Sequence, residues 1–86
     1  MISSGNDDFW QMYYALPEHV RIKARHAYQL FLVDPDHPSL RFKKLHSERN
    51  IWSVRFGDGY RAICERNGEN VEWFWIGTRQ AFGKEF

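Results

Sequence analysis

Hydrophobic positions follow two different periods along this chain. In the first third, Phe9, Met12, Tyr13 and Leu16 recur at i, i+3, i+4 and i+7, the spacing of one helical face. Asn6, Asp7 and Asp8 stand just before them, with short side-chain oxygens suited to a helix N-terminus. Pro17 and Glu18 open a second helical stretch, since proline loses no hydrogen bond in a first turn and a carboxylate there suits the dipole. Val20, Ala24, Ala27, Tyr28 and Phe31 continue the helical spacing, and Asp34-Pro35-Asp36-His37-Pro38 ends it near Val33. Two helices joined through Leu16-Pro17 are expected, as an αα-hairpin.

Beyond Pro38 the period falls to two. Leu40 to Leu45 reads as a first strand, and Ile51 to Phe56 sets Trp52, Val54 and Phe56 against Ile51, Ser53 and Arg55. Gly57-Asp58-Gly59 turns the chain into Tyr60 to Arg66, and Asn67-Gly68 turns it again into Val71 to Ile76. The predicted fold is α+β: an N-terminal αα-hairpin on one face of a small, mainly antiparallel sheet of about four strands. Residues 1–86 are expected to form a single domain.

The turns also predict register. A three-residue loop at Gly57-Asp58-Gly59 places Phe56 opposite Tyr60, Arg55 opposite Arg61, Val54 opposite Ala62 and Trp52 opposite Cys64. A two-residue loop at Asn67-Gly68 places Cys64 opposite Val71, Ala62 opposite Trp73, Arg61 opposite Phe74 and Tyr60 opposite Trp75. Both loops gather Trp52, Val54, Phe56, Tyr60, Ala62, Cys64, Val71, Trp73 and Trp75 on the helix side. The far side carries Arg55, Arg61 and Phe74 in one row. A one-residue slip would bury Arg55, so the register should be firmly set.

Composition limits the alternatives. With 17% aromatic residues, an 86-residue chain can bury a large area from few positions. No apolar run approaches the ~20 residues that span a bilayer, and the N-terminal residues lack the features of a signal peptide, so a cytoplasmic protein is expected. The single Cys64 falls on the core face and should be inert, and the histidines show no metal-ligand spacing, so no metal or cofactor is expected. His46 is a minor catalytic candidate.

Charge is concentrated although its sum is small. The net charge is +1, yet residues 41–66 carry +4, against −2 before them and −1 after. Two opposed arginines repel by roughly 0.2–1 kcal/mol unless an anion joins them, and guanidinium forks suit a bridging phosphate. The competing reading is a surface network in which Glu65 and Glu72 pair with Arg55 and Arg61. Arg79 follows the last strand and can reach the same face. Arg41, Lys43, Lys44 and Arg49 extend the patch, where they would hold a nucleic-acid backbone without reading sequence or act as solubilising charges. Phe74 is either a base-stacking platform or an apolar residue covered by the C-terminal segment.

The segments Phe42-Lys43-Lys44-Leu45-His46, Ile51-Trp52-Ser53-Val54-Arg55, Gly59-Tyr60-Arg61-Ala62-Ile63 and Trp73-Phe74-Trp75-Ile76-Gly77 resemble the RelE/ParE superfamily of bacterial toxin–antitoxin toxins, its HigB/RelE-like branch above all. The resemblance spans the whole chain. It implies metal-independent, ribosome-dependent cleavage of mRNA in the ribosomal A site, with an antitoxin, the ribosome and mRNA as partners. It places Arg61 and Arg79 on the scissile phosphate and Arg55 on the backbone, with Phe82 joining Phe74 among the RNA contacts. The chain departs from the pattern where relatives have Gly-Ser-His-x-x-Tyr, for it reads Gly77-Thr78-Arg79-Gln80-Ala81-Phe82. Ser53 likewise stands where some nucleases have lysine. Guanidinium and phenyl thus replace two proton-transfer groups. The resemblance therefore keeps two alternatives in view: a ParE-like inhibitor of DNA gyrase, and a catalytically impaired member that binds RNA or antitoxin.

Overall fold

Asn6 caps the first helix as the pattern predicts, its Oδ1 accepting the Phe9 N–H at 2.8 Å. The computed structural model describes residues 2–45 and 49–86, so the candidate His46 lies outside the described residues. Helix α1 spans Asp7–Tyr14 and α2 spans Glu18–Val33, in agreement with the predicted hairpin. The Arg21 guanidinium closes the junction between them by donating to the carbonyls of Tyr14 and Leu16 at 3.3 and 2.7 Å. Those acceptors are carbonyls that the end of a helix leaves without backbone partners.

The sheet has five strands: β1 (Ile2–Gly5), β2 (Lys43–Lys44), β3 (Ile51–Phe56), β4 (Tyr60–Asn67) and β5 (Asn70–Thr78), in the order β1-β5-β4-β3-β2. The extra strand is β1, which pairs parallel to β5, while the remaining pairs are antiparallel. The strand expected over Leu40 to Leu45 shrinks to β2, because Pro38–Leu40 winds into a single tight helical turn first. A third helix, α3 (Arg79–Glu85), ends the chain and had no counterpart in the sequence pattern.

Between β3 and β4 every predicted pair is present, Arg55 opposite Arg61 included. The β4–β5 register differs. The turn is Gly68-Glu69, flanked by the pair Asn67 and Asn70, and an irregularity beside Ile63/Cys64 shifts the register again. Cys64 therefore faces Trp73, Ile63 faces Trp75, Ala62 faces Ile76 and Arg61 faces Gly77. Phe74 is the extra residue of a β-bulge, so it does not face Arg61. Ile76 replaces Trp75 on the helix side.

That side forms the core. Phe9, Tyr13, Val20 and Phe31 from the helices meet Val54, Phe56, Ala62, Cys64, Val71, Trp73 and Ile76 from the sheet. Trp75 lies across the sheet, with the Phe86 ring 5.5 Å away and the Phe82 ring 6.4 Å away. Gly77 allows this, because a Cβ there would sit 3.0 Å from the Trp75 ring. α3 thereby holds part of the far face, whose Ser53 and Ile63 are fully buried.

Cys64 is also fully buried, and burial pushes its thiol up from 9.0 to about 12 against the opposing field of Arg66. Because the folded value is the higher one, this stabilising contribution is complete below pH ~9 and fades as pH rises toward ~12. A thiol reagent at pH 8 should leave the native protein unlabelled and label it fully in denaturant; rapid native labelling would contradict the burial.

Candidate functional site

Local backbone geometry brings four arginines together. Gly57 and Gly59 have φ of 55° and 84°, a left-handed conformation that glycine adopts without steric cost, and they close the β3–β4 turn. This fixes Arg55 and Arg61 as cross-strand neighbours on the face away from α1 and α2. The turn also anchors α3, since the Arg79 N–H donates to the Gly59 carbonyl at 2.7 Å. Thr78 caps that helix, its Oγ1 accepting the Ala81 N–H at 3.0 Å. Arg79 is therefore held at the hairpin tip.

Arg41 completes the group from the turn that precedes β2. It ends the Pro38–Leu40 turn with φ 47° and ψ 45°, and no other non-glycine residue among those described has positive φ. Such a conformation costs on the order of 1 kcal/mol and is often found where function requires it. Arg41→Gly should raise folding stability by about 1 kcal/mol in urea melts; a stability loss would contradict the strain.

Together Arg41, Arg55, Arg61 and Arg79 line a pocket of about 350 Å³ with Asp58, Gly59 and Tyr60. Arg61 lies deepest. Its guanidinium stands 5.2 Å from the Phe82 ring centre, and its Nε is buried with no hydrogen-bond partner. Its pKa is lowered by loss of solvent, then by Arg79, Arg55 and Arg41. Among the described residues no carboxylate forms an ion pair with any of these four cations. The competing network is not formed: Glu65 and Glu72 stand opposite each other, and Glu65 accepts from Asn67 at 3.1 Å. A cavity of this kind attracts a small, strongly charged anion with several acceptor oxygens, and phosphate is such a group.

The other candidates lie around it or apart from it. Lys43 pairs with Ser53 on the same face but outside the pocket lining, whereas Lys44 pairs with Trp52 on the helix side. Arg49 is exposed and does not reach the pocket lining. Phe74 is half-buried near Phe86, with ring centres 6.4 Å apart, which matches its reading as a residue covered by the C-terminal segment. Phe82 stands beside Arg61, where the strand pattern places Phe74. Arg66, counted in the basic segment, stacks over Trp52 at 4.8 Å, away from the site. Asp58 and Tyr60 were not singled out as site residues, although adjacency to the Arg55–Arg61 pair was the available signal.

Comparison with known proteins gives the same fold. A chain of the RelB–RelE antitoxin–toxin complex from Methanococcus jannaschii matches at a TM-score of 0.73 and 17% identity, covering 100% of this chain and 99% of that one. YafQ from Escherichia coli matches at 0.73 and 12%, covering 93% and 94%. The YoeB/ParE toxin from Agrobacterium tumefaciens matches at 0.69 and 14%, covering 91% and 98%. No curated protein matches the sequence. Residues 18–84 match the ParE-like toxin domain, from the start of α2 to the C-terminal helix. With that domain covering most of its length, the chain belongs to the RelE/ParE superfamily of toxin–antitoxin toxins.

Proposed function

We propose that residues 1–86 form one toxin domain of a type II toxin–antitoxin pair that cleaves ribosome-bound mRNA in the cytoplasm and so represses translation. One observation carries this reading: Arg61, with its buried and unpartnered Nε, sits among three further guanidinium groups, with no ion-paired carboxylate among the described residues. A bound phosphodiester would relieve their mutual repulsion.

In the reaction an RNA 2′-oxygen attacks the adjacent phosphorus as the bond to the 5′-oxygen breaks. The products are a 2′,3′-cyclic phosphate and a free 5′-hydroxyl. Charge builds on the non-bridging oxygens in the transition state, where fixed cations stabilise it more than they stabilise the substrate. Arg61 and Arg79 serve this purpose, Arg55 holds the backbone, and Arg41 and Lys43 extend the cationic track. Arg61 is preset by its stacking on Phe82.

An antitoxin is the second expected partner. Complexes of relatives with antitoxins support it, as does an apolar groove of about 530 Å³ between the helix pair and the sheet, bordered by the half-exposed Trp10 and Tyr28 and the more exposed Tyr14. Such a groove suits the apolar face of a helical segment.

The match to the ParE-like domain also favours a second reading, inhibition of DNA gyrase through protein contacts. The two are separated by expressing the protein while mapping mRNA ends and measuring plasmid supercoiling. Codon-register cuts with normal supercoiling support the nuclease. Lost supercoiling with intact mRNA supports the gyrase reading.

A further inference from the structure

Cleavage requires a group that takes the proton of the attacking 2′-hydroxyl. A guanidinium is a poor proton acceptor, so the four arginines lining the pocket do not suit that role. Arg79 and Phe82 occupy positions where an imidazole and a phenol would have offered that chemistry. Among the described residues one carboxylate nevertheless lines the pocket.

We infer that Asp58 is the general base of this reaction, an assignment that rests on the nuclease reading above. Two observations place it. Among the described residues Asp58 is the one acidic residue that lines the arginine pocket, at the tip of the β3–β4 turn between Gly57 and Gly59. It also forms no ion pair with any described residue, although four guanidinium groups share its pocket. A carboxylate that served only to neutralise the cluster would sit in contact with one of them. Asp58 shares the pocket lining with them without such a contact, which leaves its oxygens available to a sugar hydroxyl once the phosphate occupies the arginines.

The turn is a firm support, because the Gly59 carbonyl accepts the Arg79 N–H at 2.7 Å. The carboxylate takes the 2′-hydroxyl proton as the 2′-oxygen bonds to phosphorus. The departing 5′-oxygen takes a proton from water, and the resulting hydroxide recovers the proton from Asp58. The groups that face Asp58 are the four arginines and Tyr60 in the pocket, with Lys23 of α2 beside Gly57.

The test is Asp58→Asn in single-turnover cleavage of ribosome-bound mRNA across pH, with affinity measured on an mRNA carrying 2′-deoxyribose at the cleavage position. Asparagine suits the same turn, so the fold should be kept. The variant should cleave ~100-fold more slowly or worse, lose the acid limb of the wild-type pH profile, and bind the deoxy mRNA as wild type does. Wild-type rates in the variant, a retained acid limb, or a loss of rate matched by a loss of affinity would each overturn the assignment. If wild type itself leaves the mRNA whole, the nuclease reading falls and takes this role with it.

Discussion

Arg61→Ala should abolish growth arrest and slow mRNA cleavage by on the order of 100-fold to 1,000-fold, the usual effect of removing one fixed donor to transition-state charge. The same change should leave the fold intact. Arg61 makes no described ion pair, its Nε is buried without a partner, and three like charges bear on it. Alanine removes that repulsion and gives up only the stacking on Phe82, which is worth about 0.5–1 kcal/mol, and the packing of the aliphatic stem. Thermal melts should therefore place Arg61→Ala near wild type while cleavage assays show it inactive. Arg61→Lys should recover little, because an ammonium keeps the charge and loses the two-pronged geometry. A strongly destabilised alanine variant would mean that Arg61 belongs to the scaffold instead.

Trp73→Ala should have the largest effect on stability. The indole is 6% exposed, meets the Phe31 ring edge-on at 5.4 Å, and donates from Nε1 to the Ser3 hydroxyl at 2.9 Å. It thus joins β5 to α2 and to the parallel edge strand β1. Truncating a buried Trp costs about 3–5 kcal/mol, comparable to the whole stability of a small domain. The melting temperature should fall by roughly 12 °C or more, and part of the population should be unfolded at 37 °C. Trp73→Phe keeps the ring, loses the indole N–H and leaves the part-buried Ser3 contact unmade, so it should cost about 1 kcal/mol. Urea titrations of the two variants check both figures, and a loss below 1 kcal/mol for Trp73→Ala would place the core elsewhere.

What could be read from the sequence depended on how sharply each segment alternates. β3 and β4 alternate cleanly around a Gly-Asp-Gly turn, so register arithmetic put Arg55 opposite Arg61, as the structure has them. β5 did not allow this. Trp73, Phe74 and Trp75 are apolar at every step, so periodicity cannot place a bulge among them, and one extra residue moves Trp75 to the far face and brings Gly77 to Arg61. The signal missed at the preceding turn was Gly68, whose φ of 61° suits the first loop position, ahead of Glu69. β1 was hidden because Ile2-Ser3-Ser4-Gly5 has little strand character by itself and exists by pairing with β5. α3 was hidden by its length and by Gly83, and its contacts with Trp75 and Arg61 supply what local propensity does not. The site was legible where it depended on strand parity, which covers Arg55 and Arg61. It was less so where tertiary packing set it, which covers Arg41, Arg79 and Phe82.

The claim that the four-arginine pocket holds a scissile phosphodiester is tested most directly with purified protein and ribosomes programmed with a defined mRNA. Wild type should cut in the A-site codon to leave a 2′,3′-cyclic phosphate and a 5′-hydroxyl, and Arg61→Ala should leave the message whole under the same conditions. An mRNA that stays intact with stoichiometric wild-type protein, or is cut equally well by Arg61→Ala, would contradict the account.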